Sequence, residues 1–224
     1  MIVTPSILTT TAEDVRSQIS RLLPYFRHFQ IDIADGIFVE NTTVSLFDVL
    51  ASFESEPLPP GVKIDFHLMV IDYEKHISAI SQSPVSRYTD IVLVHFGVRP
   101  ELHKLLQVYN NISTGIVLNP EDQVQDCAMS YPLDSLVGIQ IMSVSPGCQG
   151  NPFLPYTLDK IDHLRTHNYR NKIYLDGGIN RDTLPAICSK FYKPDVITPG
   201  SYLSKAHDIS ARVQELNGFV THAE

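Results

Sequence analysis

The chain has 224 residues, 43% hydrophobic and 19% charged, with a formal net charge of -8 and a pI near 5.5. That is the balance of an ordinary soluble globular chain, and with no cluster of Lys and Arg it excludes a nucleic-acid surface. No apolar run approaches the roughly 20 residues of a membrane span, and "MIVTPSILTT" carries no charged leader.

The three cysteines, Cys127, Cys148 and Cys188, are widely spaced and odd in number, as suits free thiols in a reducing compartment. The expectation is a cytoplasmic protein of one domain over residues 1–224.

Short β-rich apolar runs recur along the whole length. In chain order they are "IVTPSI" (2–7), "FQIDIA" (29–34), "VKIDFHL" (62–68), "DIVLVHF" (90–96), "TGIVLN" (114–119), "LVGIQIMS" (136–143), "KIYLDG" (172–177) and "DVITPG" (195–200). Helical stretches lie between them. "TAEDVRSQISRLLPYF" opens with a Thr11 cap and early acids, "SLFDVLASF" ends before the Pro-rich "EPLPPG", and "NPEDQVQDCAMS" places Pro120 in a first helical turn. Eight such units predict an α/β fold, a closed (β/α)₈ TIM barrel, with an open doubly wound sheet as the structural rival.

Polar residues collect where these runs end. Asp32, His67, His95, Asn119, Ser143, Asp176 and Gly200-Ser201 all stand at or near a strand's carboxyl end, which in such a barrel forms the active-site mouth. Asp32 and Asp176 come from the second and seventh runs, so their carboxylates approach a bound molecule from different sides. Two acids on opposite faces of one carbon suit proton removal and return with inversion. His67 beside two carboxylates could also hold a divalent metal ion. Three glycine-bearing loops, "SVSPGCQGNPF" (143–153), "DGGIN" (176–180) and "PGSYL" (199–203), offer backbone amides to an anion such as phosphate, and the first is expected to open a helix.

Taken together, "PSIL" (5–8), "IDIADGIFVEN" (31–41), "DFHLMV" (65–70), "GIVLNP" (115–120), "MSVSPG" (142–147), "DGGIN" (176–180) and "GSYL" (200–203) resemble the ribulose-phosphate 3-epimerase family in order and spacing. The resemblance implies interconversion of D-ribulose 5-phosphate and D-xylulose 5-phosphate through an enediolate, with Asp32 and Asp176 as base and acid. It implies a divalent ion (Zn, Fe, Mn or Mg) on Asp32, His67, Asp176 and the position of Gln30. Substrate-binding positions would be Ser6, His67, Met69, Met142, the backbone of Gly147, Cys148, Gln149 and Gly150, and Gly177, Gly178, Gly200 and Ser201. A homo-oligomer is the base-rate expectation for such barrels.

The chain departs from the family pattern His-x-Asp-x-Met-Asp-Gly, which here reads Gln30-Ile31-Asp32-Ile33-Ala34-Asp35-Gly36. A carboxamide is a weaker donor than imidazole to zinc or iron and suits a harder ion such as manganese or magnesium, so the expected metal site is altered or weakened. His28, two residues back along the strand, lies roughly 6.6 Å deeper and should not replace the missing imidazole. Cys148-Gln149 stands where the family favours Phe-Gly, and "HFG" (95–97) lacks an acid the family often carries. Two other readings stay open. One is an epimerase of a six-carbon ketose 6-phosphate such as allulose 6-phosphate, with Ala34 enlarging the pocket; the other is a non-catalytic barrel that binds a sugar phosphate or a partner.

Overall fold

The computed structural model describes residues 1–147 and 150–221. Its strands are all parallel and form one sheet: β1 (Ile2–Val3), β2 (Ser6–Ile7), β3 (His28–Ala34), β4 (Lys63–Met69), β5 (Thr89–His95), β6 (Thr114–Leu118), β7 (Gly138–Met142), β8 (Lys172–Asp176) and β9 (Val196–Thr198).

The first apolar run is one barrel stave broken in two. Pro5 has no N–H to give to a ladder, so the stave splits there. Below the break, the N–H groups of Ile2 and Thr4 donate to Asp195 O and Ile197 O (2.7 and 3.0 Å). At and above it, Gln30 N donates to Pro5 O at 2.9 Å, and β2 pairs with β3 through Ser6↔Gln30. Residues 2–7 therefore bind both the last stave and the second, and the ring closes as expected for a (β/α)₈ barrel.

Helices follow the staves: α1 (Ala12–Leu22), α2 (Leu46–Ser55), α3 (Tyr73–Gln82), α4 (Leu102–Val108), α5 (Val124–Ser130), α6 (Asp159–Thr166), α7 (Leu184–Cys188), α8 (Ser201–Ser204) and α9 (Ile209–Thr221). Helix α1 starts where Thr11 Oγ1 accepts from Asp14 N at 3.1 Å, and it buries Val15, Ile19 and Leu22, a stripe at helical spacing. Ser45 and Asp72 cap α2 and α3 in the same way.

Two sequence expectations are corrected. Pro120 sits in a turn, not a first helical turn: Asn119 N donates to Asp122 Oδ2 (2.7 Å), Lys160 Nζ donates to Asn119 O (2.8 Å), and α5 begins only at Val124. The loop after β7 does not open a helix at its glycines; a 3₁₀ turn (Pro155–Leu158) and then α6 follow well after Gly150.

Side chains alternate between the helix layer and the barrel interior. Phe29, Ile31, Ile33, Ile64, Phe66, Leu68, Val92 and Val94 pack outward into the main core, each burial contributing about 1.5–3 kcal/mol. The interior is lopsided. An apolar cluster of Ile91, Leu93, Val117, Met142, Val144, Tyr174 and Val196 gathers on one side, and β2 to β4 line the other with Ser6, Gln30, Asp32, Asp65 and His67.

With side chains from alternate staves sharing each layer, the register stacks Ser6, His67, Val117 and Asp176 above Gln30, Leu93, Gln140 and Thr198. Thr4, Asp65, Gly115 and Tyr174 make the layer beneath.

Candidate active site

At the carboxyl ends of the strands a pocket encloses about 510 Å³ of empty space, counted to its open mouth. Ser6, Asp32, His67, Met69, Met142 and Asp176 form its floor and inner wall, and Gly147, Gly150, Gly177, Gly178, Gly200 and Ser201 its rim. Cys148 and Gln149 lie outside the described residues. Gln30 is fully buried one layer below the pocket floor.

The floor is a hydrogen-bonded unit. Ser6 Oγ donates to Asp32 Oδ2 at 2.8 Å. Gln30 Nε2 bridges the two aspartates, donating to Asp32 Oδ1 (3.0 Å) and to Asp176 Oδ2 (2.9 Å). Gln140 Nε2, from β7, reaches the same Asp176 oxygen at 3.2 Å. His67 Nδ1 lies 3.1 Å from Asp32 Oδ1 and 3.5 Å from Asp176 Oδ2.

A relay sets the orientation of His67. Asn119 Oδ1 can only accept, so His95 Nδ1–H donates to it at 2.9 Å, and His95 Nε2 is left to accept from His67 Nε2–H at 2.8 Å. His67 Nδ1 is thereby aimed at the carboxylates, where it carries a proton or offers its lone pair to a cation. The electrostatics agree. Burial and the neighbouring charge of His67 push His95 well below the usual histidine range, which keeps it neutral. Burial works against charge on His67 too, but the bond to Asp32 and the charges of Asp32 and Asp176 outweigh it and raise its pKa. Asp176 is pushed up from 3.8 to about 6 by burial and then by the like charge of Asp32, against the opposing pull of His67, Thr198 and Gln30.

The donor set fits a divalent cation. Asp32, His67 and Asp176 each offer a ligand atom, all within 4.8 Å of one another. Gln30 turns its N–H₂ to that corner, while its Oε1 is buried with no partner. Half a rotation of the amide exchanges the two and presents an oxygen instead.

His28, Asp65 and Asp90 make a second such cluster among the described residues, at the opposite end of the barrel. There His28 Nε2 pairs with Asp65 Oδ1 at 2.7 Å, and Lys172 Nζ lies 3.6 Å from Asp90 Oδ2. His28 thus starts its strand hydrogen-bonded to Asp65, away from the pocket.

The rim is built on backbone that only glycine adopts easily. Gly177 has φ +108°, and a Cβ there would stand 2.5 Å from Val144 Cγ2. Gly147 has φ +99°, and its Cβ would meet Val39 at 2.8 Å. The β3–α2 loop closes against it: Asn41 Nδ2 donates to Gly147 O at 2.6 Å. Asp35 staples that loop, accepting from Ile37 N, Phe38 N and Ile71 N at 2.8 Å each.

Across the full pattern the chain matches the family model "Ribulose-phosphate 3 epimerase family" over residues 2–203. The chain belongs to the ribulose-phosphate 3-epimerase family. Among its relatives, the ribulose-phosphate 3-epimerase of Bacillus subtilis (strain 168) is 30% identical over 195 residues, 84% of each chain. That of Helicobacter pylori (strain ATCC 700392 / 26695) is 27% identical over 223 residues, 96% of each. In fold the chain is also similar to 3-keto-L-gulonate-6-phosphate decarboxylase from Vibrio cholerae, with TM-score 0.68 at 14% identity, covering 100% of this chain and 98% of that one. Family membership makes the chain an enzyme of the carbohydrate-epimerase type.

Three features of this epimerase escaped the sequence. Gln140 gave only the faint signal of a polar residue on the inward face of an apolar strand. His95 and Asn119 were visible as strand-end polar groups, but their pairing was not. Ala34 also lines a separate pocket with Phe47 and His76. At Gly97 the ring of Phe38 lies 3.6 Å from where a Cβ would stand, and the same ring packs on His95 at 4.6 Å. An acid at that position would have to share this space with Phe38.

Proposed function

We propose that this enzyme interconverts D-ribulose 5-phosphate and D-xylulose 5-phosphate by moving a proton off one face of C3 and onto the other. Supporting this reading is the convergence of Asp32 and Asp176, from the second and seventh staves, on one buried corner of the pocket.

Asp32 is the base in the forward direction. Ser6 Oγ–H and the Gln30 amide hold its two oxygens, leaving the carboxylate fixed in orientation. Asp176 is the acid on the opposite face. Burial and the charge of Asp32 raise its pKa to about 6, so it holds a proton much closer to neutrality than an ordinary carboxyl does. In the reverse direction the roles exchange. A divalent cation held by Asp32, His67, Asp176 and, with its amide turned, Gln30 would polarise the ketone and offset the negative charge that develops on the enediolate oxygens. Met69 and Met142 present soft apolar surface to that planar intermediate. Backbone amides at Gly147 and Gly150, Gly177-Gly178 and Gly200-Ser201 hold the phosphate, as anions are held by successive N–H groups in turns.

A coupled assay of xylulose 5-phosphate formation tests this, run on chelated protein and after readdition of single divalent ions. Turnover restored by at least one ion is expected; none under any ion would overturn it.

A further inference from the structure

Gln30 and Gln140 share one interior layer and come from the second and sixth staves, opposite each other across the barrel. Both side chains are fully buried. Both donate Nε2 to the same atom, Asp176 Oδ2, at 2.9 and 3.2 Å, and in both the Oε1 is buried without a partner. A buried polar atom left unpaired costs about 1–3 kcal/mol. Two such atoms in facing amides are a pattern, and a third observation completes it. In the layer beneath, Thr4 Oγ1 and Asp65 Oδ2 are also buried without partners, and Asp65 is the register partner of Gln30.

A carboxamide has a donor side and an acceptor side. As arranged, both amides turn their donors to Asp176 and leave their acceptors without partners. Turned over, each amide would present its oxygen where its donor now stands. Their carbonyl oxygens would then face Asp176, which is tolerable only with a cation at that corner.

We infer that Gln140, paired with Gln30, is a specificity-determining residue of the metal site, and that the two amides turn together when a hard divalent cation of the manganese or magnesium class binds. With the amides turned, the site becomes two carboxylates, two carboxamide oxygens and one imidazole, a set weighted toward oxygen and away from zinc. Without a cation the same amides clamp Asp176, so the floor keeps its shape.

The inference rests on the proposed placement of the cation between Asp32, His67 and Asp176, and its test uses binding without substrate. Chelator-stripped full-length protein is titrated with Mn²⁺ and Zn²⁺ by calorimetry. Gln140→Leu should weaken Mn²⁺ at least about tenfold, the scale on which residues around a metal act, and weaken Zn²⁺ less. Gln140→Glu, which keeps an oxygen there, should hold Mn²⁺ within a few-fold of wild type. Gln140→Met replaces the leucine variant if that one does not fold.

In addition, titration of the wild type with diamagnetic Mg²⁺ should shift two glutamine side-chain amide signals together in the nitrogen-proton NMR spectrum. Unchanged Mn²⁺ affinity in a folded Gln140→Leu protein, equal losses in the leucine and glutamate variants, or unshifted amide signals at Mg²⁺ saturation would each overturn it. Epimerase turnover in a protein that binds no Mn²⁺ would sink this inference and leave the proposed reaction standing.

Discussion

Asp176→Asn should make the cation-free protein more stable, and only on the alkaline side. In the fold the Asp176 carboxyl titrates at about 6 against an ordinary 3.8, because it is buried beside Asp32. A raised folded-state pKa means that the folded protein holds the proton more tightly than the unfolded chain. The favourable contribution is complete below the unfolded value near 3.8 and is lost as pH rises through about 6. A difference of about 2 units at 1.36 kcal/mol each puts the loss at about 3 kcal/mol by pH 8. Asparagine has nothing to ionise, and its Oδ1 can still accept from Gln30 or Gln140. The variant should therefore match wild type at pH 4 and exceed it by up to about 3 kcal/mol at pH 8. For a chain of this size that is about 6–12 °C in Tm. Thermal melts in chelator at each pH read it directly, with titrating groups remote from Asp176 common to both proteins and cancelling in the difference. A stability difference independent of pH, or a variant less stable than wild type at pH 8, would refute the reasoning.

Other consequences follow from single groups. Asp32→Asn removes the proposed base and should lower kcat by about 10²–10⁴-fold in steady-state assays while the protein still folds. Gly177→Ala forces a Cβ onto Val144 at φ +108°, and urea unfolding should show a loss of about 1–3 kcal/mol together with a raised KM. Asn119→Ala leaves His95 Nδ1–H without its acceptor and frees the ring that orients His67; calorimetry should show metal affinity down by about 10- to 100-fold.

Alternation of apolar runs with capped helices was enough to read the barrel, since each stave and the stripe of α1 repeat at the period their burial demands. The break at Pro5 shows what such a reading passes over. One missing N–H splits the first stave, yet both halves stay bonded because their partners lie on different staves.

For the site, strand-end position was a good guide to Asp32, His67 and Asp176, which share one pocket. Side-chain direction within the barrel was not legible. Gln30 falls below the pocket floor, and Gln140 meets Asp176 because neighbouring staves bring them into adjoining layers. Asp35 stands three residues beyond Asp32, and it holds its loop through three backbone N–H groups. Burial works against its charge, but these bonds outweigh it and lower its pKa.

The central claim is that two different carboxyl groups exchange protons with opposite faces of C3. It is tested most directly by running the reaction on ribulose 5-phosphate in D₂O and examining the first product formed by NMR. The account predicts that xylulose 5-phosphate carries solvent deuterium at C3 from the earliest turnovers, because the group that delivers the proton is not the one that removed it. Early product that retains the substrate's own C3 hydrogen would contradict it.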